Sequence, residues 1–188
     1  PTYLLAQVFP AAMRIKDEYY RTMALIGMAP YLPEYLLDDA LYFARNVGSG
    51  ADCVEALKGL APYLTASEQQ WVLAEALSVA GKTIEKRAST EVLCDLVPSL
   101  PASLLPSALD LTRKLGNEYS RARILCAMAN HLPESQLAEA LSAANCIEDP
   151  HERVEVLKRL APLMPEPLVE KALAAVRTIK NEIDRAKA

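Results

Sequence analysis

One six-residue pattern recurs five times along the chain and constrains its fold more than any other feature. Its first position is Leu or Met, its second is Ala or Val, and its third is usually Pro. A variable residue follows, then Leu or Met, and the sixth position is usually a second Pro. The copies begin at Met28, Leu60, Leu96, Met128 and Leu160, so their spacings are 32, 36, 32 and 32 residues. A period of this size is typical of repeat proteins, whose units stack on their neighbours.

Each repeat predicts two helices. From residue 33 to 47, apolar residues recur at helical spacing, and Gly48 marks the end of this first helix. A column of N-capping residues then predicts the start of the second helix. The column contains Asp17, Ser49, Asn117, Asp149 and Asn181, with the poorer cap Glu85 in the long repeat. A Leu stands three residues before each copy of the six-residue pattern, at positions 25, 57, 93, 125 and 157, and we expect this column to be buried.

The recurring pattern itself predicts the corner between hairpins. Its first Pro lacks an amide hydrogen and disfavours helix in the residue before it, so the second helix should end there. The following Leu is expected to seal the corner, and the next Pro to start the first turn of the next helix. Asn130 replaces the first Pro in one copy, which predicts a straighter helix there. The four extra residues of the long repeat lie within residues 65–70 and predict a helix that is about one turn longer.

Together these patterns predict an all-α fold, a right-handed α-solenoid of about six antiparallel helix hairpins that forms one repeat domain over residues 1–188. Aromatic residues make up only 6% of the chain and β-branched runs are scarce, which disfavours a sheet. The chain begins at Pro1, and the array stops within a repeat. We therefore expect a fragment of a longer array or of a multidomain protein.

Composition restricts the classes of partner. The net charge of -4 disfavours a phosphate-neutralising surface, so we expect no nucleic acid. The sequence has no signal peptide and no apolar run that could span a bilayer, so we expect a cytoplasmic protein without a membrane partner. The four cysteines form no CxxC pair, and we interpret them as small buried apolar side chains in a reducing compartment. They are Cys53, Cys94, Cys126 and Cys146.

No catalytic pattern is present in the sequence. His131 and His151 have no companion at metal-ligand spacing and no nucleophile implied beside them. The short turn at residues 48–50 has no Lys behind it, so it is not a phosphate-binding loop. We expect a protein that is not an enzyme and that has no cofactor and no metal.

A recurring arginine is the strongest candidate for a binding column. It occupies one repeat position near the start of the second helices, as Arg21, Arg121, Arg153 and Arg185. Stacked hairpins place equivalent residues side by side, so such a column could bind the carboxylates of a partner. The alternative is an ion pair within each helix, with Glu18 or Glu118 three residues earlier.

Tyrosines are concentrated toward the N-terminal part of the chain. Tyr20 and Tyr119 are candidate partner-binding residues, because tyrosine buries a large area and keeps a polar tip. The alternative for the tyrosines, including Tyr31 and Tyr63 of the recurring pattern, is packing at helix corners. Trp71 lies in the long repeat, where it could contact a partner or fill the extra turn.

The repeat resembles a known type. Leu-Ala-Pro-x-Leu-Pro, then Ala-Leu-x-x-Ala, then Asp-Glu-x-x-Arg is similar to the αα-hairpin repeats of large multidomain bacterial proteins, which are HEAT-like or tetratricopeptide-like solenoids. The matches include Asp17-Glu18-Tyr19-Tyr20-Arg21 and Asn117-Glu118-Tyr119-Ser120-Arg121. The resemblance implies an array joined to signalling, defence or regulatory modules, and no such module is present in this chain.

The expected function is therefore non-catalytic. We expect a protein–protein interaction scaffold or sensor module of a larger bacterial protein, which binds a protein or peptide through one layer of helices. Three alternatives remain open. They are an enzyme accessory such as a HEAT-like chromophore lyase subunit, a nucleic-acid-binding repeat, and a structural spacer or self-assembling array.

Overall fold

Every regular element in the described part of the chain is helical. The computed structural model describes residues 2–82 and 87–177, and within these ranges it has eleven α-helices and no strand. The predicted all-α class is thus confirmed. The helices are α1 (Thr2–Ala12), α2 (Glu18–Met28), α3 (Glu34–Arg45), α4 (Gly50–Leu60), α5 (Ala66–Lys82), α6 (Arg87–Leu96), α7 (Leu105–Arg113), α8 (Glu118–Met128), α9 (Glu134–Asn145), α10 (Pro150–Leu160) and α11 (Glu166–Arg177).

The chain divides into two compact units, Pro1–Val92 (the N-terminal unit) and Leu93–Ala188 (the C-terminal unit). In the C-terminal unit, the odd-numbered helices α7, α9 and α11 contact one another in sequence order. Helix α8 contacts α10, and α7 and α9 also pack on the helices that follow them. In the N-terminal unit, α2 contacts α4, and α4 packs extensively on both α3 and α5. We call the odd-numbered helices first helices and the even-numbered helices second helices.

Four of the predicted N-caps are confirmed. Asp17, Ser49, Asn117 and Asp149 each precede a second helix and accept a hydrogen bond from a backbone N–H in its first turn. The bond from the Ser120 N–H to Asn117 is 2.9 Å long, whereas the one from Asp52 to Ser49 is 3.5 Å and weak. Good caps of this kind each stabilise a helix by about 1 kcal/mol. Asn181 and Glu85 lie outside the described residues.

The recurring pattern forms the same corner in every copy. Each second helix ends in a short 3₁₀ turn, at Ala29–Tyr31, Ala61–Tyr63, Val97–Ser99, Ala129–His131 and Ala161–Leu163. The next residue is extended, as at Leu32, which reverses the chain direction. Pro33 and Pro133 are extended and stand just before the next helix, so the prediction that they lie in its first turn is wrong by one residue.

The prediction of a straighter helix at Asn130 is also wrong, because the turn there has the same 3₁₀ form. The difference is one hydrogen bond. The N–H of Leu132 bonds to the Met128 carbonyl, whereas that of Leu32 bonds to the Ala29 carbonyl. The corner therefore does not depend on Pro.

The leucine column is buried as predicted. Leu25, Leu57, Leu93, Leu125 and Leu157 are each at most 2% exposed. They line the inner side of the second helices in both units, with Ala56, Ile124 and Val156 beside them, also fully buried. Burying one Leu side chain contributes on the order of 2 kcal/mol, so this column is a main source of stability in each unit.

Neighbouring first helices are also joined by ion pairs at equivalent positions. Arg45 of α3 lies 3.0 Å from Glu75 of α5, and Arg113 of α7 lies 2.9 Å from Glu139 of α9.

Helix α5 has 17 residues against 12 in α3, which confirms the predicted longer helix. Trp71 does not fill the extra turn, because it is 57% exposed and lies under the Arg45 guanidinium, 4.5 Å from its ring centre.

Candidate functional site

Arg121 is used inside the fold. Its Nη2 donates to the carbonyl of Leu115 at 2.6 Å, and its Nη1 donates to the carbonyl of Cys146 at 2.8 Å. Leu115 lies in the loop that precedes α8, and Cys146 follows α9 in the next hairpin. The guanidinium therefore ties its own hairpin to the next one, instead of forming a free row with its equivalents.

Arg21 has a similar role in the N-terminal unit. It donates to the carbonyl of Ile15, in the loop before α2, at 3.1 Å, and its ion pair with Glu18 is longer at 3.7 Å. Arg153 is half-buried, and its Nε is buried without a hydrogen-bond partner among the described residues. Arg185 lies outside the described residues.

The acidic residue of the same motif reaches the next hairpin. Both oxygens of Glu118 accept backbone N–H groups ahead of α10, from Glu148 and Asp149, each at 2.8 Å. In the N-terminal unit, the Glu18 carboxylate lies so close to Gly48 that a Cβ there would be 2.5 Å from its Oε1. Glu118 and Arg121 therefore do not pair with each other as the alternative predicted. Each instead contacts backbone groups of the next hairpin.

The Asp/Asn-Glu-x-x-Arg motif is therefore a connector within each unit. Its first residue caps its own helix, its Glu contacts the next hairpin, and its Arg binds the loop of its own hairpin. Charge-assisted bonds to backbone groups are strong and directional, so the motif fixes how neighbouring hairpins meet.

The candidate tyrosines lie on the surface. Tyr20 is 64% exposed and Tyr119 is 45% exposed. Packing at the helix corners is wrong for Tyr31 and Tyr63, since both are exposed. Among the tyrosines whose side chains the structure describes, the exposed ones are Tyr19, Tyr20, Tyr31, Tyr35, Tyr42, Tyr63 and Tyr119. Tyr19 and Tyr20 contact each other edge-to-face, with ring centres 5.5 Å apart.

Tyr119 lines a groove of about 730 Å³ on the second helices of the C-terminal unit. Its floor consists of small side chains from α6 and α8, namely Cys94, Ala122, Cys126 and Ala127. Its walls carry longer polar side chains. Tyr119 and Arg123 come from α8, and His151, Glu152, Glu155 and Arg159 come from α10. Asn130, from the corner after α8, completes the lining.

The groove follows from residue size at two repeat positions. Where the C-terminal unit has Cys126 and Arg159, the N-terminal unit has Ile26 and Gly59. A Cβ added to Gly59 would lie 2.7 Å from Cγ1 of Ile26, so the branched side chain already covers that glycine. A small residue on one helix and a long one on the next leave the space open in the C-terminal unit.

Burial keeps the floor chemically inert. It raises the pKa of the Cys126 thiol to about 11, an effect that the charge of Arg159 opposes and those of Glu155 and Glu152 reinforce. At pH 7 the thiolate is on the order of one part in ten thousand, so Cys126 is not an activated nucleophile.

The prediction that all four cysteines are buried is wrong for Cys146, which is exposed, while Cys94 and Cys126 are partly covered and Cys53 is buried.

The walls hold the groove's charges. Glu155 is paired with Lys158, on the same helix, at 3.2 Å. Burial raises the pKa of the Glu152 carboxyl, Asp149 and Glu155 act in the same direction, and His151 opposes them. The Arg123 guanidinium lies 5.9 Å from the ring centre of Tyr119, an arrangement that restricts its position.

Sequence reasoning found Tyr119 but missed Arg123 and Arg159. These two residues occupy positions that vary between repeats, whereas the arginine column was selected because it recurs. The sequence did contain one signal for the groove. A small residue on one second helix, Cys126, is followed one repeat later by an arginine, Arg159. That signal has meaning only when the two helices are known to be adjacent.

Other kinds of site find no support in the described ranges. Within residues 2–82 and 87–177, no three His, Cys, Asp or Glu side chains are grouped to hold a metal ion. None of the helices in these ranges is both long and apolar enough to cross a membrane. No family model matches the chain, and neither a curated protein nor a solved structure is detectably similar to it.

Proposed function

We propose that this chain is a non-catalytic protein-interaction module, and that the groove on α6, α8 and α10 binds an extended segment of another protein. One observation carries the proposal. The groove of about 730 Å³ has an inert floor of small side chains and walls of exposed Tyr, Arg and His. Tyr and Arg are the residue types that contribute most to binding in protein interfaces.

The difference between recurring and variable repeat positions supports the same function. The recurring residues are used internally, in the leucine column, the corners and the Arg121 contacts. The groove walls use positions that differ from repeat to repeat, such as Arg123 and Arg159. Repeat proteins commonly combine a constant scaffold with a variable binding face.

We further propose that the two units continue one right-handed α-solenoid, within a larger bacterial protein of the cytoplasm. The sequence supports this, since the pattern recurs on both sides of the unit boundary with a 32-residue period and one repeat of 36. Small-angle X-ray scattering of residues 1–188 would test it. A continuous solenoid gives one narrow distribution of dimensions, and independently moving units would give a broad one.

The accessory role in chromophore chemistry is less well supported. Small-molecule sites bury most of the ligand surface in mainly apolar surroundings, and this groove has charged walls whose side chains are mostly exposed. A pure spacer or self-assembling array would not need such a groove. Light scattering over a concentration series would reveal an array as a mass that rises with concentration.

Site-specific photo-crosslinking tests the proposed function. A photoreactive phenylalanine at position 119 should crosslink a partner in cells of the source organism. The same group at position 42 is the matched control, since Tyr42 is 63% exposed on a first helix. Cys126→Ile, which copies Ile26, should fill the groove and abolish the crosslink at 119 while leaving the circular dichroism spectrum intact.

The opposite pattern would refute the groove as the binding face. That pattern is a partner crosslinked from position 42 and not from 119, or a crosslink at 119 that Cys126→Ile leaves unchanged.

A further inference from the structure

The following inference about the chemistry of the partner rests on the proposed function. We propose that the groove selects a segment that carries an Asp or Glu side chain next to small apolar residues, with the carboxylate held by Arg159.

The first step is the balance of charge in the groove. Arg123 and Arg159 contribute two positive charges, and Glu152 and Glu155 contribute two negative ones. The Lys158 ammonium, 3.2 Å from Glu155, already neutralises that carboxylate. One of the two acids in the lining is therefore already paired with a cation that lies outside it.

The second step is that Arg159 is available. It is exposed, and within the described ranges no carboxylate lies within 4 Å of its guanidinium. This contrasts with Arg45 and Arg113, the arginines of the first helices, which are each paired with a glutamate. A planar guanidinium without a partner is suited to bind a carboxylate through two parallel hydrogen bonds.

The third step concerns the acid that could compete for the arginines. Glu152 lies in the first turn of α10, where the helix N-terminus already favours a negative charge. Its partial burial further restricts its reach. Glu152 is thus held at one end of the groove, and a ligand carboxylate can approach the other end, where Arg159 stands near the C-terminus of the same helix.

The fourth step is the floor. Cys94, Ala122 and Cys126 present small apolar groups, and the protonated Cys126 thiol adds no charge. Such a surface accepts methyl or methylene groups beside the carboxylate. An inorganic anion would gain nothing from this floor, so the geometry favours an acidic peptide.

A positional-scanning peptide library tests this inference with the whole chain. The library consists of octapeptides with blocked ends, so that side chains are the only carboxylates, and each sublibrary has Glu, Asp, Gln, Asn or Lys fixed at one position. We expect at least one Glu or Asp sublibrary to bind about tenfold more tightly than its Gln or Asn counterpart, the difference expected for one charge-assisted contact.

Variants identify the groove as the source of this preference. Arg159→Gln should remove most of the acidic preference, and Arg159→Lys should retain part of it. Lys114→Gln is the matched control, because Lys114 is equally charged and exposed but does not line the groove. It should leave binding unchanged, and circular dichroism verifies that each variant is folded.

The outcomes separate the two proposals. Sublibraries that bind in the groove without acidic preference, or with a preference for Lys, overturn the acidic segment and leave the interaction function standing. An acidic preference that survives Arg159→Gln overturns the assignment to Arg159. If no sublibrary binds, the acidic peptide is excluded, and crosslinking from position 119 decides the function independently.

Discussion

The two units have the same internal scaffold and differ on the outer face of their second helices. In the N-terminal unit, Ile26 of α2 lies against Gly59 of α4 and closes the face. In the C-terminal unit, Cys126 of α8 and Arg159 of α10 occupy the equivalent positions and line a groove. At these two repeat positions, the N-terminal unit thus has a branched side chain over a glycine, and the C-terminal unit has two residues that line a groove.

This difference separates residues that specify the fold from residues that are free to specify a partner. The leucine column and the N-caps are the same in both units, because every hairpin must bury its inner side and begin its second helix. The outer positions meet only the neighbouring second helix and solvent. Because they make fewer contacts within the fold than the leucine column does, function is expected where the units differ.

The largest expected effect tests the shared scaffold. Leu57→Ala in the N-terminal unit and Leu125→Ala in the C-terminal unit should each lower the free energy of unfolding by about 2–5 kcal/mol, because both side chains are completely buried. Urea denaturation measures the loss. Trp71 is the only tryptophan, so its fluorescence reports on the N-terminal unit while circular dichroism reports on both units.

Leu163→Ala serves as the control, since this Leu is 39% exposed and its truncation should change stability by less than about 0.5 kcal/mol. If either core variant resembled it, the two units would not share the same packing.

The scaffold was predictable because its signals are local or strictly periodic. A cap such as Asn117 acts within three residues, and the leucines repeat at the period of the hairpin. The role of Arg121 was not predictable in the same way. One of its acceptors, the Cys146 carbonyl, lies 25 residues away in the next hairpin, and no side-chain pattern marks a backbone acceptor.

The candidate site was harder still to predict. Cys126 in the floor was interpreted as a buried packing residue, and sequence alone could not show that a groove opens above it. The exposed state of Cys146 has a similar cause, since it depends on where α9 ends rather than on the character of the residue.

The next effect concerns the groove floor. Burial raises the pKa of the Cys126 thiol from 9.0 to about 11, so at pH 8 its alkylation by iodoacetamide should be about 100-fold slower than that of an unperturbed thiol. The rate should rise with pH until about pH 11. Chains that retain only Cys126 or only the exposed Cys146 allow a direct comparison by mass spectrometry. Equal rates at pH 8 would mean that the floor is open to water.

A somewhat smaller effect is expected for the hairpin connectors. Arg121→Ala removes two short bonds to carbonyls and should cost about 2–3 kcal/mol, whereas Arg21→Ala removes one longer bond and should cost about 1 kcal/mol. Thermal unfolding of both variants gives the difference. Equal losses would show that the contact between Arg121 and Cys146 contributes little, and the link to the next hairpin would then depend on Glu118.

The smallest effect isolates the contact that closes the N-terminal face. Gly27 and Gly59 occupy the same repeat position, but a Cβ at Gly27 would meet nothing within 4 Å, while one at Gly59 would meet Ile26 at 2.7 Å. Gly27→Ala should therefore stabilise the chain by about 0.5–1 kcal/mol through helix propensity. Gly59→Ala should lose that gain and destabilise by about 1 kcal/mol, because Ile26 must move.

The double variant Ile26→Cys with Gly59→Ala makes these two positions of the N-terminal unit more similar in residue size to those of the C-terminal unit. Removing the branched side chain makes room for the new methyl group, so Gly59→Ala should become stabilising in the Ile26→Cys background. Chemical denaturation of the four chains in this cycle measures the coupling between the two positions. A coupling near zero would show that Ile26 does not hold the face closed, and the explanation of the groove by residue size at these two positions would fail.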